Sequence, residues 1–266
     1  MTEVQGLKDS LDWRARIGLI VVSAATVSEG RYKSAAPSDV GFFTSRLLHR
    51  GGGMAGLLEM EKHSGRAVEE LATANVDSIA YCCTVSGALR GIEGDRGFCR
   101  EMEAQWGVPI ASTMLAAVEA LEHLGVRNVV VTSPYEDGHH VSERAYLEEA
   151  GIHPISMQGM NLRSAEAYAA VSPQEIYDFS MAAWDDRADA LFISCMNFDA
   201  MAAMQALEDT IQKPVVTSHS ATLWRALALA GVDDPIPGYG RLLEEPRVPA
   251  LRYPTCSISL AYSNSP

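Results

Sequence analysis

The chain repeats itself, and that repeat constrains its fold more than any other feature. Arg16 opens an apolar run, "RIGLIVVSA" (16–24), and Arg127 opens another, "RNVVVTSPY" (127–135). Cys83 follows Arg16 by 67 positions, and Cys195 follows Arg127 by 68. Asp77 and Asp189 each precede their cysteine by six. A strand-like then helix-like stretch follows each cysteine, "VPIASTMLAAVEALEHLGV" (108–126) and "KPVVTSHSATLWRALALAGV" (213–232). Short apolar runs alternating with helical segments predict parallel sheets covered by helices. The expected fold class is therefore α/β: two pseudosymmetric parallel-sheet domains from an internal duplication, with the active site in the cleft between them. The first domain is expected over 14–112 plus about 218–266, and the second over 113–217.

Within the first copy, "DVGFFTSRLL" (39–48) reads as a second strand and 55–75 as a helix. "VDSIAYC" reads as a third strand, and "GVPIAST" (107–113) leads into a helix over 114–125. Ligands of such sheets sit beyond the carboxyl ends of the strands. Cys83 and Cys195 both fall at such ends. A pseudo-twofold axis would set them on opposite sides of one cleft.

Two opposed thiols define a chemistry. A thiol at a helix start can titrate below its usual value of about 8.5 and act as base or nucleophile. One thiolate and one thiol on opposite faces of a small carbon acid can racemise it. The same pair can isomerise an alkene by thiolate addition, rotation and elimination. One working thiol alone can protonate an enolate after loss of CO2. Cys82 alternates away from Cys83 along the strand and reads as core. Cys99 and Cys256 have no counterpart in the repeat and read as structural.

Composition narrows the partners. With 21 basic and 34 acidic residues the net charge is −13, which argues against nucleic acid and anionic membranes. No run approaches the roughly 18 apolar residues of a membrane span. The polar start, "MTEVQGLKDSLDWRAR", lacks a signal-peptide core, so a cytoplasmic protein with free thiols is expected. No CxxC is present, so no structural zinc site is expected. The lysines, Lys8, Lys33, Lys62 and Lys213, lie in no pocket motif for pyridoxal phosphate.

Other polar residues at predicted strand ends have two readings each. Ser23 and Thr26 after the first strand, and Ser133 after its counterpart, are helix caps or substrate contacts. Asn197, two residues past Cys195, has an amide to offer a carboxylate. Ser218 and His219 end the strand in "VVTSHS" and fall at the expected cleft edge. "HH" (139–140) reads as a solvated loop or helix start. "HRGGGMAG" (49–56) is a lid or a linker, and it fits no phosphate-binding pattern.

At these residues the chain resembles the aspartate/glutamate racemase superfamily, in the branch of maleate cis–trans isomerase, arylmalonate decarboxylase and the ectoine-utilisation protein EutA. The EutA type is the nearest. "DSIAYCCT" and "DALFISC" resemble the two cysteine motifs. "KPVVTSHSATLW" with "PIPGYGRL" (235–242) is similar to the closing segment, so the resemblance covers about 16–245. It implies two α/β domains, no metal, no organic cofactor, and a homo-oligomer. It implies that Cys83 and Cys195 are catalytic and that Tyr135, in "SPY", helps hold a substrate carboxylate. Thr84 stands where a hydroxyl and backbone N–H bind an anion.

Two departures bear on the reaction. The decarboxylases carry glycine where Cys83 stands. Maleate isomerases carry asparagine where this chain has Ala25, in "VSAAT". The expectation is a cofactor-independent isomerase or racemase of a small carboxylic acid. Decarboxylation of a substituted malonate by Cys195 alone is the first alternative. A non-catalytic carboxylate-binding protein is the second.

Overall fold

The computed structural model describes residues 12–51 and 53–247. Two four-stranded, all-parallel sheets share one topology. In the first, β1 (Ala15–Val22), β2 (Val40–Leu47), β3 (Ser78–Cys82) and β4 (Ile110–Ser112) lie in the order β2-β1-β3-β4. In the second, β5 (Asn128–Ser133), β6 (His153–Gly159), β7 (Ala190–Ile193) and β8 (Val215–Thr217) lie in the order β6-β5-β7-β8. The duplication read from the spacing is thus a duplication of topology.

The helices of the first half are α1 (Ser28–Ala35), α2 (Gly53–Glu61), α3 (Ser64–Thr73) and α4 (Thr84–Trp106). Helix α5 (Thr113–His123) links the halves. Helices α6 (His140–Glu149), α7 (Ala165–Ala170), α8 (Pro173–Ala183) and α9 (Met201–Ile211) serve the second half, followed by α10 (Ser218–Leu229) and α11 (Gly240–Glu244).

The central strands are apolar runs because helices cover both faces. Every residue of β3 and β7 is buried, the pattern of a parallel sheet. The paired aspartates turn out to be strand pins. Asp77 accepts a hydrogen bond from the Arg16 N–H at 2.7 Å. Asp189 accepts from the N–H groups of Arg127 and Asn128 at 3.1 and 2.8 Å. Each carboxylate satisfies donors at the start of the first strand that no neighbouring strand reaches.

The stretch 55–75, expected as one helix, is two. The Ser64 hydroxyl donates to the Glu61 carbonyl at 2.6 Å and closes a turn between α2 and α3. Helix α4 also bends, at Gly91, whose φ of 66° is a left-handed value that glycine adopts freely.

Helix α10 ties the molecule together. Thr217 and Ser220 form its capping box, and its first ten residues are all buried. It packs on β3, β4 and α5 as well as on β8. A second tie runs through Asp95 on α4, which accepts from Ser112 at 2.5 Å, from Arg90 at 3.1 Å and from Tyr146 of α6 at 3.1 Å. Among the described residues no helix is long and apolar enough to cross a membrane. Cys256 lies outside the described residues.

Candidate active site

Cys83 and Cys195 stand at equivalent strand ends but in different backbone settings. Cys83 directly follows β3 and is the N-cap of α4, with φ −150° and ψ 106°. The Ser86 hydroxyl donates to its sulfur at 2.9 Å. Cys195 lies two residues past β7 in a turn, and α9 begins only at Met201. The lowering expected of a thiol at a helix start is found at neither cysteine: burial raises both, and only Cys83 has a helix start to oppose that rise. The Cys195 φ of 123° is a value side-chain-bearing residues rarely adopt. Three groups hold it: its N–H donates to the Ser218 hydroxyl at 3.0 Å, the Asn197 N–H donates to its sulfur at 3.3 Å, and the Tyr135 hydroxyl donates to the same sulfur.

The thiols share one electrostatic environment. Burial pushes Cys195 up to about 12, and the bonds from Tyr135 and Asn197 oppose that rise. A charge on Cys83 raises it further. Burial also raises Cys83, against the pull of the Ser86 hydroxyl and backbone N–H. Tyr135 feels both thiols, and burial keeps it a phenol. Cys83, Cys195 and Tyr135 retain 8%, 4% and 6% of their surface, enough to touch a small molecule and too little to leave a thiolate well hydrated.

A hydroxyl pair joins the halves beside the thiols. The side-chain oxygens of Thr84 and Ser218 lie 3.1 Å apart, and Ser218 also holds Cys195. The N–H groups at the start of α4, of which that of Ser86 already serves Cys83, face the same end of the sheet, so an anion placed there meets donors without a basic side chain.

Other expected residues serve as framework. Asn197 spends its amide on the chain: Oδ1 accepts from the Thr26 N–H at 2.8 Å and Nδ2 donates to the Ala165 carbonyl at 2.7 Å. The Ser23 hydroxyl accepts from the His49 N–H at 3.0 Å. Thr26 is exposed and caps nothing; α1 is preceded by Val27, without a side-chain cap. His219 has no exposed surface. Its Nε2 lies 3.1 Å from the Ser28 hydroxyl, and burial lowers it to about 4, so it is a neutral ring in the wall. His140, read as solvated or as a helix start, opens α6 and is buried, 2.8 Å from the Ser133 hydroxyl. Cys82 and Cys99 are buried, and burial keeps both thiols protonated.

Three residues of this site went unread in the sequence. Ser86 had a signal, since a serine three residues past the residue that caps a helix is placed to hydrogen-bond that residue. Tyr168 on α7 meets Tyr135 edge to face at 5.6 Å, and nothing near it in sequence announces that. Glu143 on α6 looks like one more surface acid and is buried. Among the described residues no group of three His, Cys, Asp or Glu side chains is placed to hold a metal ion. A surface hollow of about 430 Å3 on the outer side of α6, lined by Asp137, Val141, Arg144 and Met157 among others, contains neither cysteine and is apart from this chemistry.

A family model described as arylmalonate decarboxylase matches residues 17–243. The arylmalonate decarboxylase of Bordetella bronchiseptica is 30% identical over 161 residues, covering 59% of this chain and 66% of that protein. The maleate isomerase of Alcaligenes faecalis is 24% identical over 246 residues, covering 86% of this chain and 96% of that one. Among solved structures, a cysteine-to-serine mutant of Nocardia farcinica maleate cis–trans isomerase, with a covalently bound succinylcysteine intermediate, superposes with a TM-score of 0.79. It is 24% identical, and the match covers 86% of this chain and 98% of that chain.

Proposed function

The chain belongs to the arylmalonate decarboxylase family, and from that premise we propose that it is a cofactor-independent isomerase or racemase of a small carboxylic acid, working through Cys83 and Cys195. The observation that carries this reading is the second thiol. Cys83 sits at the start of α4 within the field of Cys195, and both lie within the field of Tyr135. A site that only protonates an enolate after CO2 loss has no need of it.

In the alkene version, the Cys83 thiolate adds to one alkene carbon of an unsaturated carboxylate. The C–S bond forms, and the alkene electron pair moves onto the adjacent carbon and its carboxylate. The former double bond is then single and rotates. Return of the electron pair expels Cys83 as thiolate and restores the alkene in the other geometry. Cys195, as a thiol, delivers a proton to the carbanionic carbon and takes it back, which lengthens the life of the adduct. In the racemase version, Cys83 takes the α-proton and Cys195 supplies one to the other face. In both, Thr84 and the N–H groups at the start of α4 hold the carboxylate and its enolate-like charge, joined by the Tyr135 hydroxyl when it turns from the Cys195 sulfur. Ser218 and Asn197 position Cys195. Ala25 leaves this chain without the amide that the isomerases carry there, so a substrate with one carboxylate and an apolar or differently polar second arm fits as well as a diacid.

A proton NMR time course in D2O with maleate, a phenylmalonate, aspartate, glutamate and a diaminobutyrate derivative tests the proposal. Conversion of maleate to fumarate supports alkene isomerisation. Loss of an α-proton signal without new product supports racemisation. A deuterated arylacetate as the sole product would overturn the two-thiol reading in favour of decarboxylation.

A further inference from the structure

Glu143, the fourth residue of α6, is buried to 2% exposure. Neither carboxylate oxygen makes a well-formed hydrogen bond. Among the described residues no cation pairs with it. Its polar neighbour is the Ser194 hydroxyl, which makes no well-formed bond of its own. Ser194 immediately precedes Cys195, and a charge on Glu143 is felt by the Cys195 sulfur and by the Tyr135 hydroxyl bonded to it. A buried acid without a partner is rare in proteins.

The first half fills the equivalent place with a neutral group. Helices α1 and α6 begin 112 residues apart, at Ser28 and His140, the spacing that also separates Cys83 from Cys195. Among the residues that α1 turns inward is Tyr32, fully buried, whose hydroxyl donates to the His219 carbonyl at 3.2 Å and lies beside the thiol of Cys82. Cys82 precedes Cys83 as Ser194 precedes Cys195. By the 112-residue spacing of the helix starts Glu143 corresponds to Arg31, which is paired with Asp199, and Tyr32, one position on, is the residue whose contact matches. The acid that Cys83 feels is a different one, Glu61, and it is ion-paired with Arg90, whose charge offsets it.

We infer that Glu143 is the positioning residue that gives the two opposed thiols different roles: its buried negative charge opposes a second one at Cys195, so that Cys195 carries the proton and Cys83 carries the charge. The inference rests on the proposal that both thiols work. Two like charges in a dry site disfavour each other. Among the described residues no neighbouring element relieves them. On α6 itself, His140 bonds Ser133, while Arg144 bonds the Pro154 carbonyl on the β6 side and Glu148. On α4, Asp95 engages Tyr146. Burial raises Glu143 to about 7, far below the Cys195 thiol at about 12, so the carboxyl takes its charge first and Cys195 stays a thiol.

The test is alkylation of the full chain by iodoacetamide from pH 5 to 10, with Cys83 and Cys195 followed separately by peptide mass spectrometry. In Glu143→Gln, labelling of Cys195 between about pH 8 and 10, on the low side of its titration, should be about threefold to tenfold faster, while Cys83 moves little. Glu143→Asp, which keeps the charge, should return the Cys195 profile toward wild type. In wild type, Cys195 and not Cys83 should show a profile broadened by a second titration near pH 7. An unchanged Cys195 labelling rate in Glu143→Gln, or an equal change at both cysteines, overturns the inference. Should neither variant fold, a wild-type Cys195 profile that follows a single proton overturns it. The labelling needs no substrate. A silent NMR assay with a shifted Cys195 therefore counts against the function alone, and an active enzyme with an unshifted Cys195 counts against Glu143 alone.

Discussion

The hydroxyl of Thr84, one residue past Cys83, lies 3.1 Å from the hydroxyl of Ser218, which in turn accepts the backbone N–H of Cys195 at 3.0 Å. The two thiols are therefore held to one another through a single buried serine on α10, not through the sheets that carry them. Ser218→Ala should leave the Cys195 N–H buried without a partner, at about 1–3 kcal/mol of stability. It should also lower kcat by tenfold or more with a smaller change in KM, because misplacement of a reacting group acts on the chemical step. Thermal melts and steady-state kinetics check both.

Replacement of either thiol should remove most of the activity. Cys83→Ala and Cys195→Ala are each expected to reduce turnover by about 10^2 to 10^4-fold. The two differ in what accumulates. If Cys83 is the nucleophile, Cys195→Ser incubated with an unsaturated diacid should gain one substrate mass on the peptide holding Cys83, and Cys83→Ala should gain none. Intact-protein and peptide mass spectrometry read this directly.

Cys195 stores backbone strain. At φ 123° a β-carbon is unfavourable by about 1–3 kcal/mol, and glycine escapes this. Cys195→Gly should therefore be at least as stable as Cys195→Ala, despite the 0.5–1 kcal/mol or so that glycine ordinarily loses to alanine. The same pair of changes at Cys83, whose φ is −150°, should rank the other way. Urea unfolding of the four variants measures both differences.

Glu143 should make stability depend on pH. Its folded-state value of about 7 lies above the ordinary 4.5, so between those limits the folded state binds the proton that the unfolded state has released. The contribution of this carboxyl to stability is full below about pH 4.5 and declines as pH rises through 7. His219, lowered from 6.5 to about 4, acts in the opposite sense, and its contribution is lost as pH falls below about 6.5. The clean measurement is the difference between wild type and Glu143→Gln. It should shift toward the variant by about 3 kcal/mol from pH 4.5 to pH 8, read by urea unfolding at each pH.

The sequence by itself determined the architecture. Two runs beginning at Arg16 and Arg127, two aspartates and two cysteines at matched distances name two copies of one parallel unit. Fully apolar strands such as β7 belong to sheets covered on both faces. These signals are local, because burial on both faces is written in every residue of such a strand. The positions of Cys83 and Cys195 at strand ends followed for the same reason. What only the tertiary structure decided is how the two copies differ. A turn of high φ rather than a helix start carries Cys195. Asn197 gives its amide to the Thr26 loop and to α7. His219 turns into the wall, and Glu143 faces inward where Tyr32 does in the other half. None of this is periodic. Each depends on which side of a helix meets its neighbour and on hydrogen bonds between residues more than a hundred positions apart, such as Thr26 with Asn197 and Thr84 with Ser218. A buried acid and a surface acid are the same letter, and only packing, by removing water from one of them, makes them different groups.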